Sequence, residues 1–361
     1  MAFSEERYIQ QLVAMYRTGF QAIVESIRQS EAKGRSIRYQ KEVLSNVSSI
    51  LHQMDEYADR WIEQVVGGVY SASVAETIAQ LRSKGVTTEA LGVSGSFAAV
   101  HQRAIDVIAQ NMSDHLRNAT QFVGRRIQDI FREVSLEQTG LKLVTGASWQ
   151  ELKKKLVQEL IAKGQIGFKD KLGRQWRLDS YAELVARTTT REAASVAIVN
   201  QCNEYGHDLV QITTHYPTCE ICAPLQGKVF SLQGEDKRYP KLTDEYRPPI
   251  HPNCRHVLVP YVRELDPAAE DLERFSNTPL DKDSRTEDEK QAYKEMRDKV
   301  TIKSIRRRSR EVLYNPSASP KDKEKAAKEL DRTYKKTGKR PTGRDGKILK
   351  QYRLKEDRKD D

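Results

Sequence analysis

The chain has 361 residues, which is long enough for two or three domains and for a sizeable buried core. Its net charge of +10 lies in the last fifth of the chain: residues 281–361 hold 27 Lys and Arg against 17 Asp and Glu, whereas residues 1–280 hold 34 of each. No stretch has the apolar run that a membrane span needs, and the charged N-terminus lacks the apolar core of a signal peptide. We therefore expect a protein without a membrane partner that matures in the cytosol where it is made, and where thiols stay reduced.

Residues 1–140 are predicted to be helical. Apolar side chains recur every three to five positions in three stripes, which begin near Tyr8, Val43 and Ile105. The segment VGGVY at residues 66–70 is expected to interrupt the second stripe. Helices this long with one apolar stripe need a partner surface, either on each other or on another protein.

A small region of mixed helices and strands is predicted next. The segment IGFKDKLGRQWRLD predicts a hairpin with its turn at residues 170–173. A helix is then expected to begin at a capping box, with Ser180 as N-cap and Glu183 three residues later, and to end at Gly206. Cys202 falls within this helix and is expected to be a buried small residue. The segments DLVQITT, GKVFSL and HVLVPYV predict three short strands.

The remaining residues, 266–361, are strongly polar. An acidic, linker-like stretch comes first, residues 291–314 predict a basic helix, and residues 315–361 have too few large apolar side chains to fold alone. A basic tail on a neutral body favours a polyanion partner, most often nucleic acid, while a solvated, partly disordered tail kept for solubility fits the composition equally well. The candidate nucleic-acid contacts are Arg306, Arg307, Arg308, Arg310, Lys335, Lys336, Lys339 and Arg340.

Three of the four cysteines are concentrated in two short motifs. Cys219 and Cys222 form a C-x-x-C, and His251 with Cys254 forms an H-x-x-C. Three cysteines and one histidine are a ligand set suited to a closed, structural zinc site. The intervening loop is otherwise weakly held, so a metal that closes it would convert binding free energy into folding free energy.

Other interpretations of these motifs stay open at this point. The cysteines fit a reduced, metal-free pair of turns, and His256 is a spare candidate ligand that leaves the ligand set undecided. A redox C-x-x-C fits less well, because that motif normally opens a helix in a βαβ unit. No hydrolase motif of the H-E-x-x-H or G-x-S-x-G type occurs, and a nuclease would need a base histidine and a second metal-binding group, so we expect no enzyme and no catalytic residues.

Four segments in their order and spacing resemble a known family. YAELVARTTTREA, YGHDLVQITTH, CAPLQGKVFSL and HPNCRHVLVPY are similar to the phage minor capsid protein 2 family and, more loosely, to the head morphogenesis proteins related to the F protein of phage Mu. The resemblance is strong over residues 165–262. It implies a structural minor head protein of a tailed phage, present in few copies and associated with the portal and the packaged genome.

The sequence thus predicts an α+β protein in three parts. Residues 1–140 form a helical assembly region that docks during head assembly, residues 141–265 a small α+β module with a zinc knuckle, and residues 266–361 a polar linker with a basic, partly disordered tail. The expected partners are the portal protein, other head proteins and packaged double-stranded DNA, inside the phage head near the portal. The alternative function is a zinc-containing DNA-binding protein or a nuclease that acts on nucleic acid.

Overall fold

A computed structural model describes residues 5–29, 36–86, 96–142, 168–169, 175–280, 283–314, 318 and 320–356. Four long helices make its first part: α1 (Glu5–Gln29), α2 (Ser36–Ser83), α3 (Ser96–Lys142) and α4 (Leu178–Glu204). Of the helices described, none combines the length and the apolar character that crossing a lipid bilayer requires.

The apolar stripes of the first three helices face one another and α4. In α3, for example, Ile108, Met112, Leu116 and Ala119 are at most 5% exposed, and they belong to one core with residues of α1, α2 and α4. A polar contact adds to the packing, since Trp61 Nε1 of α2 donates a hydrogen bond to the carbonyl oxygen of Tyr8 at 2.8 Å. The partner surface that these stripes need is therefore within the chain.

Helix α2 continues through the glycine pair at residues 67 and 68, so the predicted interruption at VGGVY is wrong. A glycine inside a helix costs only about 1 kcal/mol relative to alanine. The buried neighbours Val65, Val66, Val69 and Tyr70 keep this turn packed in the core, which offsets that cost.

Helix α4 begins two residues earlier than the predicted capping box. Its N-cap is Arg177, whose side chain makes no capping hydrogen bond. The side chain of Asp179 instead accepts the backbone N–H of Ser180 at 2.9 Å. Glu183 instead contacts Arg187 one turn later. The predicted end is confirmed, because Gly206 has φ +61°, a left-handed conformation that glycine adopts readily.

The strands agree with the prediction. β1 (Phe168–Lys169) pairs with β2 (Gln175–Trp176) as an antiparallel hairpin, and the predicted turn between them lies outside the described residues. β3 (Leu209–Ile212), β4 (Val229–Ser231) and β5 (Leu258–Pro260) form an antiparallel sheet in the order β4-β3-β5.

Helix α4 belongs to two cores at once. Residues up to Ala197 pack in the helical core, whereas Ile198 and Cys202 pack on the sheet with Val210 and Phe230. Small side chains such as alanine and threonine allow this helix to be buried on several sides. It therefore fixes the position of the sheet relative to the long helices, and Cys202 is buried as expected.

The C-terminal part contains more regular structure than the composition indicates. α5 (Ala269–Ser276) packs on β4 within the supposed linker. α6 (Glu287–Leu313), α7 (Pro320–Thr337) and α8 (Gly343–Glu356) then form what we call the C-terminal helical unit. Its small core consists of Leu313, Ala326, Ala327, Leu330, Tyr334 and Leu349.

The expectation of a partly disordered tail is therefore wrong for most of the described residues after 286, while the basic helix predicted at 291–314 is confirmed as α6. The physical reason is a buried polar network that an apolar pattern does not reveal. Asp345 accepts hydrogen bonds from Arg310, Tyr314 and Tyr334, which together join all three helices.

The described part of the chain is thus mostly helical, with a two-stranded hairpin and a three-stranded antiparallel sheet, which agrees with the predicted α+β class. The division at residues 140 and 265 stays a prediction.

Candidate metal centre and basic helical unit

The two cysteines of the C-x-x-C lie in consecutive tight turns between β3 and β4. The carbonyl oxygen of Cys219 accepts the backbone N–H of Ala223 at 3.0 Å, and that of Cys222 accepts the N–H of Gln226 at 3.0 Å. These hydrogen bonds keep the segment compact, so both sulfurs can face the same side.

The H-x-x-C forms a second tight turn just before β5. Cys254 donates its backbone N–H to the carbonyl oxygen of His251 at 2.9 Å. Asn253 between them has φ +66°, a left-handed conformation that asparagine tolerates better than most residues. The segment before this turn contains a cis peptide bond between Pro248 and Pro249. Another cis peptide bond, between Tyr216 and Pro217, precedes the C-x-x-C.

The fold brings both motifs to one cluster. Their donor atoms make two groups of three, each within 4.8 Å: Cys219, Cys222 and His251 in one, and Cys222, Cys254 and His256 in the other. The four predicted ligands are thus neighbours, but Cys254 is grouped with the spare histidine, His256, rather than with His251. Whether these residues hold metal stays a prediction.

The cluster is shielded from solvent. Cys219, Cys222 and Cys254 are at most 9% exposed and all are free thiols, and His256 is 3% exposed. The side chain of Ile250 and that of Tyr293, a residue of α6, pack against the cysteines. Arg285 donates a hydrogen bond from Nη1 to the carbonyl oxygen of Thr218 at 3.3 Å, so the beginning of the C-terminal part lies against this site.

The environment favours the thiolate at two of the three cysteines. Hydrogen bonding with Cys222 lowers the pKa of Cys219 and of Cys254, while the same contacts and burial raise the pKa of Cys222. The hydrogen bond with Cys219 also raises the pKa of His251 to about 9. Thiolates rather than thiols bind metals, and buried thiolates with imidazoles are the donors that zinc prefers, so this donor set fits a structural zinc ion.

The arginines that precede the module make specific contacts. Arg191 donates a hydrogen bond to the carbonyl oxygen of Arg255 at 3.2 Å, next to the second motif. Arg187 pairs with Glu6 of α1 at 2.8 Å and with Glu183. Arg191 thus touches the module, while Arg187 ties α4 to α1.

The eight candidate nucleic-acid contacts all lie in the C-terminal helical unit, but they differ in what they touch. Arg306 stacks on the ring of Tyr334 at 4.0 Å and donates to Thr333 and Thr337. Arg310 forms an ion pair with Asp345 at 2.7 Å. These two arginines hold the helices together. Burial opposes ionisation of Asp345, but its hydrogen bonds, above all from Arg310, lower its pKa to about 2.

The other six are distributed between internal and exposed positions. Arg307 faces the body of the protein, where its charge helps Arg177 to lower the pKa of Asp179 despite the burial of that carboxyl. Lys335 and Lys336 are exposed and pair with Asp331 and Asp298 at 3.0 and 3.1 Å. The exposed positions also include Arg308, Lys339 and Arg340.

A basic cleft lies between α7 and α8. It has a volume of about 570 Å³, and three of the predicted contacts, Lys335, Lys339 and Arg340, line it together with Lys350. Sequence reasoning missed Lys350 because the clustering arises only when the two helices fold back on each other. The cleft concentrates positive charge in a way that suits an anionic ligand.

Comparison with known proteins gives two matches. A family model described as "Phage minor capsid protein 2" matches residues 6–338. A protein named "Structural protein" from Lactococcus phage LL-H is 30% identical over 214 residues, which are 55% of this chain and 54% of that protein, so the chain spans about half the length of this relative. No solved structure gives a significant match. Because the family match covers nearly the whole sequence, the chain belongs to the phage minor capsid protein 2 family.

Proposed function

We propose that this chain is a structural minor head protein of a tailed phage, located in the virion, which takes part in head morphogenesis and in packaging or delivery of the genome. Its proposed partners are the portal protein and other head proteins on one side and packaged double-stranded DNA on the other. The family membership supports a role in the capsid. The observation that carries the division of labour is the basic cleft of the C-terminal helical unit, which lies on a chain whose first 280 residues are neutral.

A reconstruction of the portal vertex tests this proposal. We expect density for the long helices on or beside the portal, with the C-terminal helical unit directed toward the DNA. Co-purification of tagged protein with the portal protein from infected cells gives an independent readout. The proposal is wrong if the protein is absent from particles, and turnover of DNA by the purified protein with added Mg²⁺ or Mn²⁺ would instead favour the nuclease.

We further propose that the module contains one structural zinc ion, bound by the three clustered cysteines and a histidine. Sequence reasoning assigns the nitrogen ligand to His251. The burial of the three sulfurs and the approach of two turns far apart in sequence support this role. When bound, the ion would supply a crosslink and no catalytic step.

Elemental analysis of protein purified without chelator tests the zinc proposal. We expect about one zinc per chain. Cys254→Ser should lower the zinc content and make residues 214–262 sensitive to protease, because metal binding and folding of such a module are coupled. Cys202→Ser is the control: Cys202 is equally buried but packs in the sheet core with Val210 and Phe230 and not in the sulfur cluster, so its loss should leave the zinc content unchanged. Wild-type protein without zinc would contradict the proposal.

A further inference from the structure

The two imidazoles beside the sulfur cluster differ in their distances from sulfur. Around a tetrahedral zinc ion, with Zn–S of about 2.3 Å and Zn–N of about 2.0 Å, two ligand sulfurs lie about 3.8 Å apart, and a sulfur and a nitrogen lie about 3.5 Å apart. The sulfurs of Cys222 and Cys254 are 3.8 Å apart, and Cys254 Sγ is 3.7 Å from His256 Nδ1. Both separations leave room for a metal ion between the atoms.

His251 does not fit this geometry as well. Its Nε2 lies 3.2 Å from Cys219 Sγ, which is short for two ligands of one zinc ion and normal for a direct hydrogen bond to sulfur. Its Nδ1 lies 2.8 Å from the carbonyl oxygen of Pro252. His251 is also more exposed than His256. His251 thus lies closer to its sulfur neighbour and nearer to solvent than His256 does.

The tautomer of His256 is set by Gln226. His256 Nε2 lies 3.3 Å from Gln226 Oε1, and the same oxygen accepts the backbone N–H of His215 at 3.1 Å, which fixes the orientation of the amide. A carbonyl oxygen only accepts, so Nε2 of His256 carries the hydrogen and the lone pair of the neutral ring is on Nδ1. That nitrogen is the one that faces the sulfurs. Histidines that bind metals in proteins usually donate their other N–H in this way.

We propose that His256, through Nδ1, is the nitrogen ligand of the metal held by Cys219, Cys222 and Cys254, and that Gln226 is the positioning residue that keeps His256 in the ligating tautomer. The inference rests on the proposed zinc centre and exchanges one member of its ligand set. His251 then stays outside the coordination sphere, with its Nε2 3.2 Å from Cys219 Sγ and its Nδ1 2.8 Å from the carbonyl oxygen of Pro252.

Cobalt(II) spectroscopy of the full chain tests whether His256 rather than His251 is the nitrogen ligand. We would load wild-type protein, His256→Cys and His251→Cys with Co²⁺ under reducing conditions and compare the absorption bands. A cysteine that replaces a true histidine ligand keeps the metal bound and changes the donor set from three thiolates and one nitrogen to four thiolates, which shifts the d–d bands to longer wavelength. We expect this shift for His256→Cys and not for His251→Cys.

The possible outcomes separate the two proposals. If wild-type protein binds neither zinc nor Co²⁺, the zinc centre itself is wrong. If the wild type and both variants bind Co²⁺ with thiolate spectra, any result other than a shift for His256→Cys alone overturns the assignment of His256 and leaves the zinc centre standing. Because a folded, loaded site is needed to give the bands at all, a misfolded variant is recognised by their loss and is replaced by the corresponding His→Asn pair, where only His256→Asn should weaken Co²⁺ binding.

The role of Gln226 is tested by measuring the zinc affinity of Gln226 variants of the protein. Gln226→Ala should weaken zinc binding about 10–100-fold, the usual effect of removing a group that orients a ligand. Gln226→Glu should restore most of the affinity, because a carboxylate also accepts the N–H of His256. Gln211→Ala is the matched control, since Gln211 is a neighbouring glutamine that donates to the carbonyl oxygen of Gly227 and does not touch the cluster. Unchanged affinity in Gln226→Ala would overturn its positioning role.

Discussion

Met112 and Val107 lie on the same long helix and face opposite ways. Met112 is fully buried against the other helices, whereas Val107 is 59% exposed. We expect Met112→Glu to lower the free energy of unfolding by at least about 3 kcal/mol, because a carboxyl enters a core that has no partner for it. Val107→Glu, the control, should change stability by less than about 0.5 kcal/mol. Denaturant titration followed by circular dichroism measures both.

These two variants also decide whether the stripe that contains Met112 is part of the core or an interface used in head assembly. If Met112→Glu stays within about 1 kcal/mol of wild type but fails to enter phage heads, the stripe is an interface and the described packing is wrong. If it destabilises the isolated chain as expected, the contact to the portal has to use other surfaces than this stripe. The proposed docking role of the helical region then depends on its exposed faces.

At the candidate metal centre, the sequence predicts which motifs form the cluster better than it predicts which histidine would bind metal. Two cysteine motifs with tight-turn residues were enough to predict that the C-x-x-C and the H-x-x-C lie close together, but Cys254 is grouped with His256 rather than with His251. That these residues bind metal stays a prediction. The sequence could not choose between His251 and His256, because the choice depends on hydrogen bonds across 30 residues, such as that from His256 to Gln226. Motif spacing carries no information on such contacts.

At the scale of whole helices, two glycines show where close approach matters. A Cβ added at Gly19 of α1 would lie 2.3 Å from the sulfur and 2.8 Å from Cγ of Met54 on α2, whereas one added at Gly67 of α2 meets nothing within 4 Å. We expect Gly19→Ala to lower stability by about 1–2 kcal/mol, since overpacking outweighs the gain in helix propensity. Gly67→Ala should raise stability by about 0.5–1 kcal/mol.

The same thermal or denaturant measurement compares both glycine variants with wild type. Equal effects of the two substitutions would contradict the close packing of α1 on α2. A destabilising Gly67→Ala would mean that α2 is not a continuous helix at this point.

The beginning of α6 is attached to the candidate metal centre. Ser284 donates a hydrogen bond to the carbonyl oxygen of Ala223 at 2.9 Å, Arg285 reaches Thr218, and Tyr293 packs on the cysteines. We therefore expect removal of metal by a chelator to increase hydrogen exchange at residues 283–295 together with residues 214–262. Helix α1, which does not touch the site, should keep its protection. Exchange that increases in the module alone would show that the C-terminal helical unit is held independently of the metal.

The elements themselves were predictable to the extent that apolar side chains specify them. The long helices and the three strands follow from apolar periodicity and turn residues, and α4 ends at Gly206 as expected. Helix α6 was predicted, but the packing of the C-terminal helical unit was not predictable, because its helices are joined by polar groups such as Arg310 and Asp345, 35 residues apart. A capping box of Thr286 and Glu289 at the beginning of α6 is present in the sequence and would have located this helix more accurately.

At the scale of the whole molecule, charge and packing are separated along the chain. The neutral body contains the helical core and the sheet, which share α4, and the excess positive charge is on the C-terminal helical unit. Contacts such as the ion pair between Arg177 and Glu311 hold this unit against the body. A surface of this kind suits sequence-independent contact with phosphates.

We expect the protein to bind double-stranded DNA without sequence preference. With about five phosphates neutralised, the logarithm of the affinity should fall with the logarithm of salt concentration with a slope of about −4 to −5. Replacing Lys335, Lys339 and Arg340 of the cleft by alanine should weaken binding at low salt and make the slope shallower by about 3. Fluorescence anisotropy at several salt concentrations measures both quantities.

The control for this prediction changes the same net charge elsewhere. Lys237, Lys241 and Arg274 are exposed cations on the body, and their replacement by alanine should leave the slope nearly unchanged. Arg306→Ala is expected to act differently from the cleft variants: its side chain is used for stacking on Tyr334 and for hydrogen bonds to α7, so its loss should destabilise the helical unit first. Deleting residues 301–361 should abolish binding. DNA binding that is independent of salt, or that survives this deletion, would mean that the basic helical unit does not contact the genome.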